Sequence, residues 1–408
     1  MSAARLLEAQ RAFSMDARML VQEEKNEPEG VTATTRSAAG RWLNLARFIA
    51  ERLVFLVNEL DRSVRFLFSP ANTGESITRD ARFREADIVH LHWITGAFLS
   101  LRALKGILKS GKPVVWTFHD MWAFTGGCHY ALDCERYREQ CGRCLYMKRP
   151  GNRDLSHRVW KRKQKLFSQY HATVVAPSRW MADCARASSL LGHWDTRVIP
   201  YSVDTEVFQP VDRLEACRNL GLDPEKRYIL FGAASVQSML KGFAYFQDAM
   251  RIFHREHAGE EGVEIIIFGK TRGDEDRLFP LPTRNIAYIR SARTLSELYS
   301  ASTLFVIPSV QDNLPNTVIE SMLCGTPVVG FRTGGIPEII DHLENGYVAE
   351  YKSAADLAKG IRWILDVGNY GELSEGARHS AAKKYSPKDA AEAHTKLYEE
   401  LLQKRGKQ

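Results

Sequence analysis

The sequence predicts an α/β protein made of two domains, each built on a parallel β-sheet. Short apolar runs such as Leu304–Ile307, which is followed by Pro and Ser, are typical of strands that are buried on both faces. Stretches with apolar residues at helical spacing follow such runs in both halves of the chain, which is the pattern of parallel βα units. At 408 residues the chain is long enough for two domains with a core each.

A βαβ unit is clearest at residues 304–340. A polar loop follows the strand, a helix begins near Asn316 or Thr317, and a second strand leads into the small-residue loop 333–335. Loops at the carboxyl ends of parallel strands face the crevice where open α/β sheets bind ligands. The free N–H groups and the positive dipole end of a helix start suit a phosphate, so the two loops together could hold a diphosphate. The alternative is an ordinary βαβ crossover without a ligand, in which Gly and Pro only end the helices and strands.

This stretch resembles the donor-binding signature of the retaining GT-B glycosyltransferases of family 4, also called group 1. In that signature an acidic residue is followed, after seven residues, by Glu, and here Asp312 and Glu320 occupy the two positions. The CGTPVV run at 324–329 and the GGIPE run at 334–338 continue the signature. The family's usual first acid is Glu; because Asp is shorter by a methylene, the loop must bring its carboxylate closer. The resemblance implies two Rossmann-like domains that face each other across a cleft.

The resemblance also implies a set of donor-binding residues. Glu320 would bind the ribose hydroxyls from the first helical turn, and Asp312 would bind the sugar hydroxyls and support positive charge at the anomeric carbon. Lys241 matches the family's diphosphate-binding Lys, a compact charge that can bridge two phosphate oxygens, whereas the Arg that relatives place earlier is absent. The other groups expected around the donor are the backbone N–H groups of Leu314, Asn316 and Thr317, the turn glycines Gly334 and Gly335, and Gly269 with Lys270 beside the base.

In the first half of the chain, a buried strand at 114–118 ends at His119. In the family a His after this strand lies beside the donor sugar, and His119 matches it. An imidazole can hydrogen-bond a sugar hydroxyl or the transferring oxygen. Asp120 follows directly and is expected to orient the ring. The alternative is a structural His that caps the strand.

A cysteine-rich insertion at 126–146 contains Cys128, Cys134, Cys141 and Cys144. Only the last pair has the spacing of a metal knuckle. In a cytosolic chain clustered cysteines favour a metal over disulfides, so we interpret them as a structural zinc site. Two disulfides, His129 as a replacement ligand, and four free thiols remain open. A subset of bacterial exopolysaccharide glycosyltransferases carries a similar insertion, which implies a structural role beside the acceptor.

Two basic helices are candidates for contact with a membrane. Residues 41–62 combine apolar positions at helical spacing with arginines, and residues 156–170 combine three large apolar side chains with a basic face. In several relatives the first region approaches the membrane. The alternative for both segments is a helix packed on its own domain with its charges in water.

The charge and the composition of the chain indicate which kinds of binding partner to expect. The net charge of +7 and the isoelectric point near 8.9 favour phosphate-bearing substrates and anionic membrane surfaces. Nucleic acid is not expected, because no nucleic-acid-binding motif accompanies the charge. No apolar run approaches the roughly 18 residues that a membrane span needs, and no signal peptide opens the chain. We therefore expect a cytoplasmic protein, with contact at the inner face of the cytoplasmic membrane as an option.

The domain boundaries follow from the succession of βα units and from the resemblance to GT-B proteins. We expect an acceptor-side domain over residues 1–196, a nucleotide-sugar-binding domain over 197–382, and helices over 383–408, the last of which crosses back to the N-terminal domain as in GT-B proteins. The chain starts at the helix that in relatives follows the first strand and its Gly-rich turn. That strand is therefore expected to be missing.

The predicted function is a retaining, metal-independent glycosyltransferase. It would move a sugar from a nucleoside-diphosphate sugar to a glycan or lipid-linked acceptor in exopolysaccharide or lipopolysaccharide synthesis, without a cofactor. No DxD-like metal pair stands in a fitting place, so amide dipoles and Lys241 would take up the charge of the departing diphosphate. With no obvious nucleophile, the resemblance implies same-face substitution by the acceptor hydroxyl. A nucleotide-sugar epimerase of the same fold and a non-catalytic polyanion-binding protein are the alternatives.

Overall fold

The computed structural model describes residues 2–24, 29–236, 238–256, 261–270 and 275–406. The chain forms two compact units, one made of Met1–Pro200 with Lys388–Gln408 and the other of Tyr201–Pro387. The first boundary thus lies a few residues beyond the expected position after residue 196. Residues 383–387, which we assigned to the C-terminal helices, belong to the second unit.

Parallel strands form the centre of the first unit. In chain order they are β1 (Met19–Val21), β2 (Val31–Ala33), β3 (Val89–Leu91), β4 (Val114–Thr117), β5 (Thr173–Ala176) and β6 (Thr196–Val198). The last four form one sheet in the order β3-β4-β5-β6, while β1 and β2 pair with each other in a separate sheet. All residues of β4 and β5 are buried, as the continuous apolar runs predict for parallel strands covered on both faces.

The helices of this unit begin at polar caps that the sequence supplies. They are α1 (Ser2–Ala12), α2 (Ala38–Leu56), α3 (Ala81–Glu85), α4 (Leu101–Leu108), α5 (Leu155–Phe167) and α6 (Arg179–Ala187). The side chains of Ser37, Asp154 and Ser178 accept hydrogen bonds from backbone N–H groups in the first turns of α2, α5 and α6. Such caps satisfy amides that have no partner within the helix. Short 3-10 turns lie at Arg62–Val64, Trp122–Phe124 and Arg136–Arg138.

The second unit is a six-stranded parallel sheet. Its strands are β7 (Arg227–Ser235), β8 (Val263–Lys270), β9 (Thr283–Ile286), β10 (Leu304–Ile307), β11 (Val328–Phe331) and β12 (Gly346–Ala349), in the order β12-β11-β10-β7-β8-β9. Successive residues of β10 alternate between two apolar clusters, with Phe305 and Ile307 in one and Leu304 and Val306 in the other. Apolar residues therefore cover both faces of the sheet, which explains why its strands are apolar throughout.

Helices pack on both faces of that sheet. They are α7 (Arg213–Leu220), α8 (Phe243–Glu256), α9 (Ala292–Ala301), α10 (Asn316–Leu323), α11 (Ile336–Ile339), α12 (Ala354–Leu365) and α13 (Tyr370–Lys384), with short 3-10 turns at Met239–Lys241 and Glu275–Leu278. This arrangement of two α/β units with parallel sheets is the predicted fold class.

The last helix, α14 (Pro387–Gly406), packs on the first unit. Leu397 joins a small apolar cluster with residues of β4 and β5, and Tyr398 hydrogen-bonds His90 of β3 at 2.6 Å. The final residues 407–408 of the predicted helical tail lie outside the described part of the chain. Among the helices that the structure describes, none is both long enough and apolar enough to span a bilayer.

Candidate functional site

The strand order of the second unit contains a topological switch point. From β7 the chain adds β8 and β9 on one side, and then returns to add β10, β11 and β12 on the other. The switch point thus lies between β7 and β10. In open α/β sheets the loops that leave the carboxyl ends of the strands at such a point diverge and form a ligand-binding crevice.

Two charged side chains meet at this point. Lys241 lies in the segment that follows β7, and Asp312 lies in the loop that follows β10. Lys241 Nζ is 2.6 Å from Asp312 Oδ2, and Ser309 Oγ donates to the same oxygen at 3.4 Å. The ammonium side chain is 34% exposed and the carboxylate side chain is 12% exposed. The pair is therefore open to a ligand mainly from the lysine side.

Backbone contacts fix the two loops against each other. Val310 N donates to Leu240 O at 2.9 Å, which ties the β10 loop to the β7 segment. Gly242 has a φ of +65°, and a Cβ atom there would lie 1.8 Å from Pro308 O. Only glycine allows this close approach, so the Lys-Gly pair at 241–242 has a geometric basis.

The glycine turn after β11 closes on the same loop. Gly334 has a φ of +57°, and a Cβ atom there would lie 1.7 Å from Asp312 O. Gly335 N donates to that carbonyl at 3.2 Å. The structure thus brings Lys241, Asp312, Gly334 and Gly335 together, as the sequence predicts.

Helix α10 begins beside this cluster. It starts at Asn316 after Pro315, and Asn316 and Thr317 are half-buried, whereas Leu314 is buried in the apolar core. The first N–H groups of a helix have no intrahelical partner, and with the helix dipole they favour an anion. Of the three residues expected to offer amides, Asn316 and Thr317 are in the first turn of α10, and Leu314 directly precedes the cap residue Pro315.

Glu320 lies deeper than expected. It is the fifth residue of α10, so at 3.6 residues per turn it belongs to the second turn and not to the first, where we placed it. Its side chain is buried, at 2% exposure, and its Oε2 lies 3.4 Å from the hydroxyl of Tyr299 on α9. The carboxylate of Glu320 thus lies in the interior of the second unit and accepts a hydrogen bond from a tyrosine hydroxyl.

Gly269 and Lys270 end β8, the neighbour of β7 on the other side of the switch point. Gly269 has a φ of +122°, and a Cβ atom there would lie 1.9 Å from Ala233 O, so glycine lets the two strand ends approach. Lys270 is exposed at the same sheet edge, and residues 271–274 beyond it lie outside the described residues.

His119 belongs to the first unit, at the carboxyl end of β4. Its Nε2 lies 3.0 Å from His92 Nδ1, so one of the two rings donates to the other. Burial lowers the pKa of His119 to about 4, although the charge of Asp120 opposes this shift. The imidazole is therefore neutral at physiological pH. It lines a cavity of about 20 Å³ with His92, Thr95 and Asp120, which is room for about one water molecule.

The expected role of Asp120 was wrong. Its Oδ2 lies 2.7 Å from His129 Nδ1, and its Oδ1 accepts a hydrogen bond from Trp122 N at 2.8 Å. Asp120 thus orients His129 and the turn that follows β4, and its charge acts on His119. His129, which we considered as a metal ligand, is committed to this pair.

Sequence reasoning missed the residues that support His119. His90 stacks on His92 with ring centroids 4.3 Å apart, and its two nitrogens contact Tyr398 OH at 2.6 Å and Thr117 Oγ1 at 2.7 Å. Burial lowers the pKa of both histidines well below the usual value. The available signal was the HLH pattern at 90–92, since residues two apart on a strand share a face.

The four cysteines of the insertion are free thiols in the structure. Among the described residues no group of three or more His, Cys, Asp or Glu side chains could hold a metal ion. Burial raises the pKa of Cys128 and of Cys141 to about 12, and Gly126 N donates to Cys141 Sγ at 3.1 Å. The structural zinc stays a prediction from the sequence.

Both halves of the chain match models of known families. Residues 22–207 match the model described as Glycosyltransferase Family 4, and residues 226–367 match the model described as Glycosyl transferases group 1. The two matches fall largely in the first and second structural units.

Two curated relatives illustrate the range of similarity. The D-inositol 3-phosphate glycosyltransferase of Acidothermus cellulolyticus is 31% identical over 193 residues, which cover 44% of this chain and 43% of the relative, so the chain spans less than half of that protein. The putative colanic acid biosynthesis glycosyl transferase WcaC of Escherichia coli is 22% identical over 396 residues, covering 92% of this chain and 88% of WcaC.

Solved structures share the fold over almost the whole chain. Sucrose-phosphate synthase from Thermosynechococcus elongatus has a TM-score of 0.67 at 15% identity, covering 98% of this chain and 92% of its own. HepE from Anabaena in complex with UDP-glucose has a TM-score of 0.63 at 15% identity, covering 98% and 96%. At these identities the likeness establishes the GT-B type of fold.

Proposed function

Because the chain carries a glycosyltransferase family 4 domain followed by a glycosyl transferases group 1 domain, we propose that it is a retaining glycosyltransferase that uses a nucleoside-diphosphate sugar. The observation that carries the proposal is the Lys241–Asp312 pair at the topological switch point, beside the start of α10. One cation, a set of helix-start amides and a carboxylate stand together where a diphosphate and a sugar would meet.

The leaving group is the centre of the proposed chemistry. When the bond between the anomeric carbon and the diphosphate breaks, negative charge grows on the diphosphate. Lys241 and the amides of Leu314, Asn316 and Thr317 would stabilise that charge without a metal ion. Preorganised groups of this kind cost little reorganisation during the reaction. Transfer would therefore be insensitive to chelators.

Asp312 and Glu320 would hold the other parts of the donor. Asp312, released in part from Lys241 when a diphosphate arrives, would accept hydrogen bonds from the sugar hydroxyls. Glu320 would bind the ribose hydroxyls, which requires its buried carboxylate to exchange the hydroxyl of Tyr299 for those of the ribose. Gly269 and Lys270 would lie beside the base.

His119 would act as a neutral hydrogen-bonding group in the first unit. Its low pKa keeps a lone pair available, and its contact with His92 fixes the ring. A neutral imidazole can bind a sugar hydroxyl or the transferring oxygen. Same-face attack by the acceptor hydroxyl, whose proton would pass to the departing diphosphate, would then retain the anomeric configuration.

The acceptor would be a glycan or a lipid-linked glycan. WcaC, whose name assigns it to colanic acid biosynthesis, matches this chain over nearly its whole length and supports a role in exopolysaccharide or lipopolysaccharide synthesis. HepE was solved with UDP-glucose, which makes a UDP-sugar the first donor to test. The net charge of +7 suits work at the anionic inner face of the cytoplasmic membrane.

A panel of nucleotide sugars tests the proposal. We expect one of them to raise the melting temperature of the full chain, and the same compound to be hydrolysed slowly or to be transferred to a lipid-linked acceptor with retained configuration, both with and without EDTA. An isomerised donor with no transfer would identify an epimerase instead. No shift with any donor would favour a polyanion-binding protein.

Two variants separate a donor-binding role of Glu320 from a structural one. Glu320→Gln keeps the shape of the side chain and removes its charge, and we expect it to abolish the shift by the donor. Tyr299→Phe removes the hydroxyl that contacts Glu320 and leaves the carboxylate in place, so the shift by the donor should persist. An unchanged donor shift in Glu320→Gln would refute the assignment.

A further inference from the structure

Trp93 is exposed at the point where β3 ends. It is 58% exposed, whereas Trp116 and Trp122, on the neighbouring strand and the turn that follows it, are 2% and 3% exposed. All three line the small cavity beside His119. A single exposed aromatic residue is common on protein surfaces, so its exposure alone assigns no function. Trp93 is of interest because it joins a polar cavity to the solvent.

The turn after β3 holds the indole in place. Ala97 N donates to Glu51 Oε2 at 2.8 Å, and Ala97 O accepts a hydrogen bond from Gln22 Nε2 at 3.3 Å. Gly96 has a φ of +71°, and a Cβ atom there would lie 3.3 Å from Cη2 of Trp93. The indole therefore packs closely on a turn that is fastened on both sides. An aromatic face that is already fixed loses little conformational entropy when a ligand packs on it.

Thr95 supplies a second, independent observation. It is 2% exposed, it lines the same cavity, and its Oγ1 is a buried atom without a hydrogen-bond partner in the part of the chain that the structure describes. A buried hydroxyl without a partner is costly, so native proteins contain few of them. The cavity has about 20 Å³, which is room for one water molecule or one hydroxyl group. A ligand hydroxyl in the cavity would give Thr95 the missing hydrogen bond.

The titratable groups of the cavity offer hydrogen-bond acceptors. Burial lowers the pKa of His119 to about 4 and that of His92 well below its usual value, and the N-terminal amine adds to both shifts, so both rings are neutral. Burial opposes the ionisation of Asp120, but the charge and the hydrogen bond of His129 outweigh it and hold the pKa of Asp120 below its usual value. Asp120 is therefore an ionised carboxylate, which accepts hydrogen bonds and donates none.

A ligand group that fits this cavity must both donate and accept. A hydroxyl can donate to Asp120 and accept from Thr95, whereas a carboxylate or a phosphodiester has no proton to donate and is repelled by Asp120. An ammonium has no lone pair for the hydroxyl proton of Thr95. Among the described residues that line the cavity, none is a lysine or an arginine that would attract an anion. Lys163, whose charge acts on Asp120, is fully buried and donates to Thr125 O at 3.1 Å.

The exposed indole and the hydroxyl-sized cavity together select a class of ligand. The indole of Trp93 offers an apolar face with negative charge density, which packs on C–H groups. The cavity beside it takes one polar group and no more. A pyranose ring combines the two features, because one of its faces carries C–H bonds while single hydroxyls project from its edge.

We propose that Trp93, Thr95 and Asp120 form a subsite for a neutral pyranose of the acceptor. The ring packs on the indole, and one of its hydroxyls enters the cavity, donates to Asp120 and accepts a hydrogen bond from Thr95. This inference rests on the proposed function in that it names the acceptor class of the same reaction. His119, which is proposed to bind a sugar hydroxyl or the transferring oxygen, lines the same cavity.

Saturation-transfer NMR of the full chain with methyl pyranosides tests the subsite. We expect at least one of methyl glucoside, methyl galactoside and methyl mannoside to bind, with and without UDP, and the strongest saturation transfer to reach the C–H protons of one ring face. Sulfate and methylammonium, used as an anion and a cation at equal concentration, should not displace the glycoside. No binding of any methyl pyranoside, or displacement by either ion, would overturn the proposal.

Substitutions of the indole test whether the glycoside binds at Trp93. Trp93→Ala should bind the methyl pyranoside at least about tenfold more weakly, and Trp93→Phe, which keeps an aromatic face, should recover part of the loss. Trp42→Ala is the matched control, because Trp42 is also an exposed tryptophan of the first unit, at 72%, and this variant should bind as the wild type does. Equal binding by Trp93→Ala and Trp42→Ala would refute the role of the indole.

Thr95→Val separates a ligand-binding role of the hydroxyl from a structural one. Because the hydroxyl has no partner in the folded chain, its replacement by a methyl group should leave the denaturation midpoint unchanged or raise it. Binding of the methyl pyranoside should nevertheless weaken by about fivefold, the effect of one neutral hydrogen bond. A lower midpoint with unchanged glycoside binding would mean that the cavity holds a buried water only, and it would overturn the role of Thr95.

Transfer kinetics separate the acceptor from the donor. With octyl pyranosides as acceptors, Trp93→Ala should raise KM for the acceptor at least about tenfold, while KM for the nucleotide sugar and the thermal shift by it stay unchanged. A raised KM for the nucleotide sugar would assign Trp93 to the donor and overturn the proposal. A wild type that binds a methyl pyranoside and no nucleotide sugar would contradict the proposed function and leave the sugar subsite standing.

Discussion

Lys241 Nζ and Asp312 Oδ2 lie 2.6 Å apart, so the residue proposed to bind the diphosphate and the residue proposed to bind the sugar are paired with each other. A charge-assisted hydrogen bond of this length keeps both side chains at the switch point before any donor arrives. A diphosphate that approaches the half-exposed ammonium competes with Asp312 for it. Donor binding would thus free the carboxylate to accept sugar hydroxyls at the moment when the sugar is delivered.

The first prediction concerns the competition between the diphosphate and Asp312 for Lys241. Lys241→Ala removes the only cation of the pair, and we expect it to weaken binding of the nucleoside diphosphate by about tenfold to a hundredfold, since charged hydrogen bonds contribute about 1.5–3 kcal/mol. Calorimetric titration with UDP checks it. Lys359→Ala, at an exposed lysine on α12, is the matched control and should leave the affinity unchanged. Equal affinities of Lys241→Ala and the wild type would remove Lys241 from the site.

The cluster of Lys241, Asp312 and Gly334 could be predicted because its signals are local. At Gly242, Gly334 and Gly269 a Cβ atom would collide with the backbone of the neighbouring loop or strand. The glycines in the sequence therefore indicate directly where the loops approach each other closely. Asp312 is brought close to Lys241 by the turns that these glycines permit. The burial of Glu320 could not be predicted in the same way, because it depends on how α10 packs on α9, whose Tyr299 donates to the carboxylate.

The first unit was harder to predict, because its key contacts are long-range. His90 contacts Tyr398, which lies 308 positions away in the sequence. Neither segment contains a pattern that predicts this contact. The orientation of α2 is a second example. Its sequence is amphipathic, but only contacts with other segments of the chain determine that Asn44 and Glu51 are buried while Trp42 is exposed.

Tyr398→Phe tests how strongly α14 is fastened to the first unit. The hydroxyl accepts a hydrogen bond from Gln10 Nε2 at 3.0 Å and contacts His90 Nδ1 at 2.6 Å, so its removal leaves two buried polar groups without that partner. We expect the free energy of unfolding to fall by about 1–3 kcal/mol. Chemical denaturation measures this, with Tyr288→Phe at an exposed tyrosine as the control. Equal losses in the two variants would mean that the hydroxyl adds nothing to the docking of α14.

Metal analysis of the purified chain tests the predicted zinc. Lys163 is buried and its ammonium donates to Thr125 O at 3.1 Å and to Trp122 O, within electrostatic reach of Cys128 and Cys141. A zinc thiolate cluster would supply negative charge beside this ammonium. We therefore expect one zinc per chain and its loss in Cys134→Ser/Cys144→Ser, but not in Cys217→Ser, a buried cysteine of the second unit. Metal-free protein with all cysteines titratable in denaturant would contradict the prediction.

The low pKa of His119 predicts an acid-sensitive first unit. Between the usual value of 6.5 and about 4, the unfolded chain binds a proton at this position and the folded chain does not. The free energy of unfolding must therefore fall as the pH is lowered through this window, by up to about 1.4 kcal/mol per pH unit, and the contribution is fully present only above pH 6.5. His90 and His92 act with the same sign, because burial lowers their pKa as well.

Denaturation at several pH values checks the effect. His119→Gln should reduce the slope of the unfolding free energy against pH between about 4 and 6.5 and leave it unchanged above pH 7. His379→Gln, at an exposed histidine of α13, should keep the wild-type slope. If both variants keep that slope, the pKa of His119 is the same in the folded and in the unfolded chain, and the low pKa that supports its role as a neutral hydrogen-bonding group is refuted.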